Sequence, residues 1–306
     1  MTTVLKIDPK HPQQELILQA AEVLRGGGLV AFPTETVYGL GAIATDAKAT
    51  ARIFEAKERP ATSPLIVHVA SIAQAARFAA RWPDEARALA DAFWPGPLSI
   101  VLGKSPIVPA AVSGGGETVA MRAPAHPVAV ALIEALGEGI AAPSANRSSR
   151  LPPVRAEHVL KGLDGRIDLV LDAGACPGGL ESTVLDLSGA KPRVLRRGAI
   201  SLARIASLVE VEDASRPASE DSSGWIRMAP VGEFEFTEVR SGAILVRERA
   251  LAEGVAVRVL GEDARAYASR MYDALHELED AGCEVVWIEQ LPAGSDWDAI
   301  RDRLRR

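Results

Sequence analysis

QQELILQAAEVLRGGGLVAF, residues 13–32, decides the fold class: a run with helical period breaks at three glycines and passes directly into a short apolar strand. Leu16, Ala20, Val23 and Leu24 fall on one face of that run. The same change of period recurs downstream. Helical patterns from about Asp46 to Lys57, from Ser71, from Asp84 and over PVAVALIEALG (127–137) alternate with strand-like LIVHV (65–69), LSIVLG (98–103), TVAMRAP (118–124) and GIAAP (139–143). Further strands are expected at IDLVLDAG (167–174), STVLDLS (182–188) and RVLRR (193–197), with a helix near 200–208. Interleaved strands and helices make the class α/β.

The chain has 306 residues. Single cores stop growing near ~250 residues, so two domains are expected. The periodic pattern lapses between 209 and 238, where VEDASRPASEDSSGWIRMAPVGEFE is rich in Ser, Pro, Asp and Glu, as linkers are. Beyond it GAILV, VAVRVL, a helix from about Asp263 to Ala281, CEVVWIEQL and DAIRDRLRR predict a small βαβ-type domain. The expected division is therefore 1–208, a linker at 209–238, and 239–306.

Hydrophobic residues at 48% and charged residues at 24% are ordinary for a globular chain. A net charge of -6 argues against stable nucleic-acid binding, which needs an extended Lys/Arg face. Any anion site must be local. The two cysteines, Cys176 and Cys283, fall one in each expected domain with no metal-ligand spacing, so no protein-held metal is expected and a reduced compartment fits. MTTVLKIDPKHPQQ lacks the apolar core of a leader, and no run approaches the ~18 apolar residues of a membrane span, so the expected location is cytoplasmic.

Two motifs mislead. GLGAIA (39–44) matches a dinucleotide fingerprint, but six residues separate it from the preceding strand where the turn should be tight. GPLSIVLGKS (96–105) ends like a phosphate-binding loop, yet its two glycines are spaced too widely and strand residues lie between them.

The informative residues stand at strand ends: Thr36 in PTET, Lys57 and Arg59 in KERPATSPLIVH, His68, Arg122 in MRAP, Ser144 and Asn146 in PSAN, Ser182 in ESTV and Arg196 in VLRRG. In α/β sheets ligands bind beyond strand ends, so these segments can converge on one cavity. Four cations there describe a site for several phosphates or a carboxylate. Taken singly, each has a plainer reading. Lys57 and Arg59 can offset a helix dipole, Arg122 can pair at a surface, His68 can be a satisfied core histidine, and the hydroxyls can belong to turns.

Together, T-E-T-V-Y-G-L-G, K-x-R followed by P-L-I-V-H, W-P-G-P-L, R-x-P, S-A-N and E-S-T-V-x-D resemble, in that order, the YrdC-type threonylcarbamoyl-AMP synthases over roughly residues 10–208. The part after the linker resembles the C-terminal domain of the longer, two-domain branch. The resemblance implies a large YrdC-like twisted mixed sheet with a concave basic cavity, plus a small Rossmann-like domain. It implies synthesis of threonylcarbamoyl-AMP and pyrophosphate from L-threonine, bicarbonate and ATP with Mg²⁺, the first step toward N6-threonylcarbamoyladenosine in tRNA, and a handover to the tRNA threonylcarbamoyltransferase machinery. By the same resemblance Thr36, His68, Arg122, Ala142 and Ser182 surround threonine, while Lys57, Arg59, Ser63, Thr118, Ser144, Asn146 and Arg196 handle ATP. Lys57 and Arg59 are the implied catalytic cations. Three departures stand out: Pro152 replaces a common hydroxyl, Ser63 a common Asn, and Arg227-Met228-Ala229-Pro230 the His-Tyr-Ala-Pro of a linker that crosses the cavity mouth. Arg227 is the implied substitute contact there.

Overall fold

In the computed structural model, which describes residues 1–215, 225–236, 240–248, 251 and 253–305, strands and helices alternate through the large domain. Its strands are Thr3–Lys6 (β1), Val30–Phe32 (β2), Gly39–Ile43 (β3), Ile66–His68 (β4), Leu98–Gly103 (β5), Thr118–Arg122 (β6), Ile140–Ala141 (β7), Leu169–Asp172 (β8), Thr183–Asp186 (β9), Arg193–Arg196 (β10) and Glu212–Asp213 (β11). Among the described residues these eleven form one mixed sheet in the order β1-β8-β2-β3-β7-β4-β6-β5-β9-β10-β11. β4 and β6 run parallel with His68 opposite Arg122, so the two side chains share a face of the sheet.

The helices Gln14–Arg25 and Pro127–Leu136 pack together over β1, β2 and β8. Burial of Leu24, Leu132 and Ile133 contributes about 2 kcal/mol each. The buried face of the first helix is Ile17, Ala20, Ala21 and Leu24, with Leu16 and Val23 only half-buried. It is turned from the predicted face because the helix meets a second helix as well as the sheet. The misleading GLGAI is strand β3. Its second glycine has a packing cause: a Cβ on Gly41 would come within 2.6 Å of Ile140 and 2.8 Å of Phe32.

Four parallel strands form the second sheet, in the order Ile226–Ala229 (β12), Val285–Glu289 (β15), Ser241–Leu245 (β13) and Ala256–Val259 (β14). The helix Ala264–Asp280 connects β14 to β15. Within the expected linker, β11 joins the large sheet and β12 pairs along β15. Pairing satisfies backbone groups that a free linker would leave to water, a cause invisible in a four-residue stretch without alternation. Residues 216–224 and 237–238 of the segment lie outside the described residues, and the expected crossing of the cavity mouth is not seen in the described part.

The small domain docks through the helices Ala264–Asp280 and Asp298–Leu304. Tyr267, Met271 and Leu275 belong to the same buried cluster as Leu180 and Ile200 of the large domain. Arg155 forks onto Asp273 at 2.8 and 2.9 Å, and Lys161 reaches Asp280 at 2.5 Å. Cys176 and Cys283 are buried free thiols. Among the described residues no helix is long and apolar enough to cross a membrane.

Candidate active site

Arg122 ends β6 with its side chain only 4% exposed, and three segments converge on it. Its Nη1 donates to Thr36 Oγ1 at 3.1 Å and its Nε to the Gly96 carbonyl at 3.3 Å. Its Nη2 lies 2.6 Å from Glu35 Oε1. That last contact is a close ion pair that does not have the alignment of a hydrogen bond. Glu35 is itself fixed by the Ala125 N–H, which donates to Oε2 at 3.0 Å. Thr34 Oγ1 donates to the Val37 carbonyl at 2.7 Å and lies 2.8 Å from Thr36 Oγ1. Thr36 is thereby left to donate to Thr34 and to accept from Arg122.

His68 sits beside Arg122, with Nδ1 3.2 Å from the Ile66 carbonyl. Burial, and secondarily Arg122, pulls its pKa down to about 3, so the ring is neutral at pH 7. A histidine whose folded pKa lies below its unfolded 6.5 contributes stability that is fully present above pH 6.5 and lost as pH falls toward 3. His68→Gln should therefore flatten the decline of the urea midpoint between pH 6.5 and 4; an unchanged slope would count against this environment.

Ser182 precedes β9. Its hydroxyl lies 2.8 Å from Ser99 Oγ and accepts from Arg196 Nη2 at 2.9 Å. Arg196 also donates through Nε and Nη2 to the Ser182 carbonyl, at 3.1 and 2.9 Å. Ala142 is buried in the apolar cluster with Phe32 and Ile140, its N–H on the Ile66 carbonyl at 2.9 Å.

The second group gathers where the helix Ala47–Lys57 ends. Glu58 takes the left-handed region at φ 53°, which turns the chain sharply toward Arg59. Lys57 is 1% exposed, and its ammonium donates to the carbonyls of Ser144 and Asn146. The ammonium is thereby a pin that holds the PSAN loop. Burial, and secondarily Arg59, lowers its pKa to about 7, against the pull of the two carbonyls on the protonated form. Among the described residues, Arg59 Nε and Asn146 Oδ1 are buried without hydrogen-bond partners, so both have bonding capacity that the chain does not use. Ser63 is half-buried in a turn closed by its N–H on the Pro60 carbonyl at 3.0 Å. Thr118 opens β6 four residues before Arg122, on the same face and roughly 13 Å away. Arg227 belongs to the small domain: it stands on β12 with its guanidinium over the Trp287 ring, 5.5 Å from the centroid.

The sequence reading passed over Glu35 and Ser99. Ser99 carried a signal, a lone hydroxyl inside the buried strand LSIVLG; Glu35 became legible only when the fold set PTET against MRAP. A cavity of about 690 Å³ between the domains reaches this wall, with Glu35, Thr36 and Thr183 on one side and Asp263, Ala264 and Ala268 on the other.

Similarity to known proteins extends over the whole chain. A family model described as "Telomere recombination" (Sua5_yciO_yrdC) matches residues 22–198, and one described as "Threonylcarbamoyl-AMP synthase, C-terminal domain" matches residues 207–306. The chain is 38% identical to the threonylcarbamoyl-AMP synthase of Pyrococcus abyssi, covering 100% of this chain and 97% of that one. It is 36% identical to that of Bacillus subtilis, covering 95% and 92%. The crystal structure of P. abyssi Sua5 complexed with L-threonine superposes with a TM-score of 0.91 at 36% identity, covering 99% and 97%.

Proposed function

The chain belongs to the family of threonylcarbamoyl-AMP synthases, and from that premise we propose that it makes L-threonylcarbamoyl-AMP, pyrophosphate and water from L-threonine, bicarbonate and ATP. The observation that carries the reading is similarity over both domains to a synthase at 38% identity. In this reading the enzyme is a nucleotidyltransferase: the carbamate formed from threonine's amine attacks the α-phosphorus, and pyrophosphate leaves.

Nucleophile and electrophile are both anionic, so the site's work is positioning and charge compensation, with no side-chain nucleophile. Arg122 receives the threonine carboxylate through its unaligned Nη2, and Thr36 and Ser182 fix the amino acid's orientation beside neutral His68 and the Ala142 methyl. Arg59 and Arg196 face the phosphates, and Asn146, Ser144, Ser63 and Thr118 hold the rest of ATP. Lys57 fixes the loop that carries two of them. Mg²⁺ arrives on the triphosphate, held chiefly by substrate oxygens and water.

The adenylate is consumed by a tRNA threonylcarbamoyltransferase machinery, as the first step of N6-threonylcarbamoyladenosine formation, in the cytoplasm. The fold is also compatible with a carbamoyl adenylate made from carbamoyl phosphate, which the full-length similarity disfavours. Purified protein with ATP, Mg²⁺, bicarbonate and threonine should release pyrophosphate. Release that does not depend on threonine, or that needs carbamoyl phosphate, overturns the reading.

A further inference from the structure

Ser182 and Arg196 each have a neighbour that faces the other domain. Adjacent residues of an extended chain point to opposite sides. While Ser182 turns inward to Ser99 and Arg196, Glu181 turns outward and meets two residues of the small domain. Arg303 Nε donates to Glu181 Oε2 at 2.7 Å, and Tyr272 OH donates to the same oxygen at 3.1 Å. Arg303 Nη2 donates to the Arg197 carbonyl at 3.0 Å. One guanidinium, 2% exposed, thus ties the residue before Ser182 to the residue after Arg196.

The two segments it ties are pressed together. Ala199 N–H donates to the Glu181 carbonyl at 3.1 Å, and Thr183 Oγ1 exchanges hydrogen bonds with Ile200 at 2.7 and 3.1 Å. Gly198 admits that approach, since a Cβ there would lie 2.4 Å from the Glu181 oxygen and 2.4 Å from the Ser182 carbonyl carbon. Burial alone would raise the Glu181 carboxyl, but Arg303 and Arg196 outweigh it and hold it at about 2, so the strut stays charged. The Glu181 side chain is 18% exposed, and Arg303 and Tyr272 both hold its Oε2, so removing either loosens its placement.

We propose that Arg303, with Tyr272, is a positioning residue for the substrate site: through Glu181 and the Arg197 carbonyl it sets where Ser182 and Arg196 present their polar atoms. The small domain is in this respect part of the active site. The inference rests on the assignment of Ser182 and Arg196 to substrate in the preceding subsection.

The test uses the full chain carrying Arg303→Met, Tyr272→Phe or Lys161→Ala, the last a control that removes a domain-bridging ion pair remote from Glu181. Arg303→Met should raise the KM for threonine about tenfold, more than it lowers kcat, as small misplacements do. Tyr272→Phe should raise it about threefold, the worth of one hydrogen bond, and Lys161→Ala should stay within about twofold. A melting temperature lowered by Arg303→Met with threonine KM unchanged would reduce the strut to a structural contact and overturn the proposal. Should Arg303→Met fail to fold, an unchanged KM in Tyr272→Phe overturns it. Hydrogen exchange of residues 181–184, measured without ligand, separates the two levels of failure. Unchanged protection in Arg303→Met sinks the strut, whereas faster exchange in a protein whose wild type shows no threonine-dependent turnover supports the strut and sinks the reaction.

Discussion

Lys57→Ala lowers threonine-dependent pyrophosphate release by about a hundredfold or more, on the order of 3 kcal/mol of barrier. Two losses combine. The loop proposed to hold ATP gives up a neighbouring positive charge, and the carbonyls of Ser144 and Asn146 lose the ammonium that holds them. Lys57→Met, which keeps most of the volume, separates pinning from packing, and should retain the melting temperature better than alanine while remaining nearly inactive. Full activity in Lys57→Met would remove the lysine from the mechanism. The same residue has a proton signature. With its pKa near 7 in the free protein, Lys57 is mostly neutral at pH 8, and an arriving polyphosphate favours its protonated form. ATP binding at pH 8 should therefore take up protons, read by calorimetry in buffers of different ionisation enthalpy, and Lys57→Met should abolish the uptake.

The second large effect falls on Arg122. Arg122→Met strips Glu35, whose side chain is 15% exposed, of its arginine partner and leaves a mostly buried carboxylate uncompensated. The expected loss is about 3 kcal/mol of unfolding free energy, the usual order for one half of a buried pair. Threonine binding should disappear with it. Adding Glu35→Gln removes the orphaned charge, so the double variant should recover part of the stability but none of the threonine binding. Chemical denaturation and threonine calorimetry on the two variants decide it: stability that the second substitution does not recover would show that Glu35 is not the cause.

Much of this was readable in residues 13–208, because helix and strand periods announce themselves wherever a face is buried. The strands that escaped did so for physical reasons. GLGAI lacks alternation because Gly41 makes room for Ile140 and Phe32, and IRMA is held by pairing with β15, a long-range cause with no local mark. The site divides the same way. Cations and hydroxyls at strand ends were visible, since their types and spacing point to anions. Glu35 and Glu181 were not, because a carboxylate's role depends on which arginine the sheet register sets against it. Lys57 was found for its charge, whereas its carbonyl partners depend on a loop ninety positions on in approximate terms, which only the fold brings near.

Strand β1 pairs with β8, Thr3 opposite Leu169, and β5 pairs with β9, Leu98 opposite Thr183. Parallel neighbours so distant along the chain must close large loops before any pairing rewards them, which makes for a high contact order and slow folding. The residues proposed to face the substrates run from Thr36 to Arg196, so the cavity they would form has no half-built form. Catalytic competence arrives late and all at once, when the last of these crossings is made.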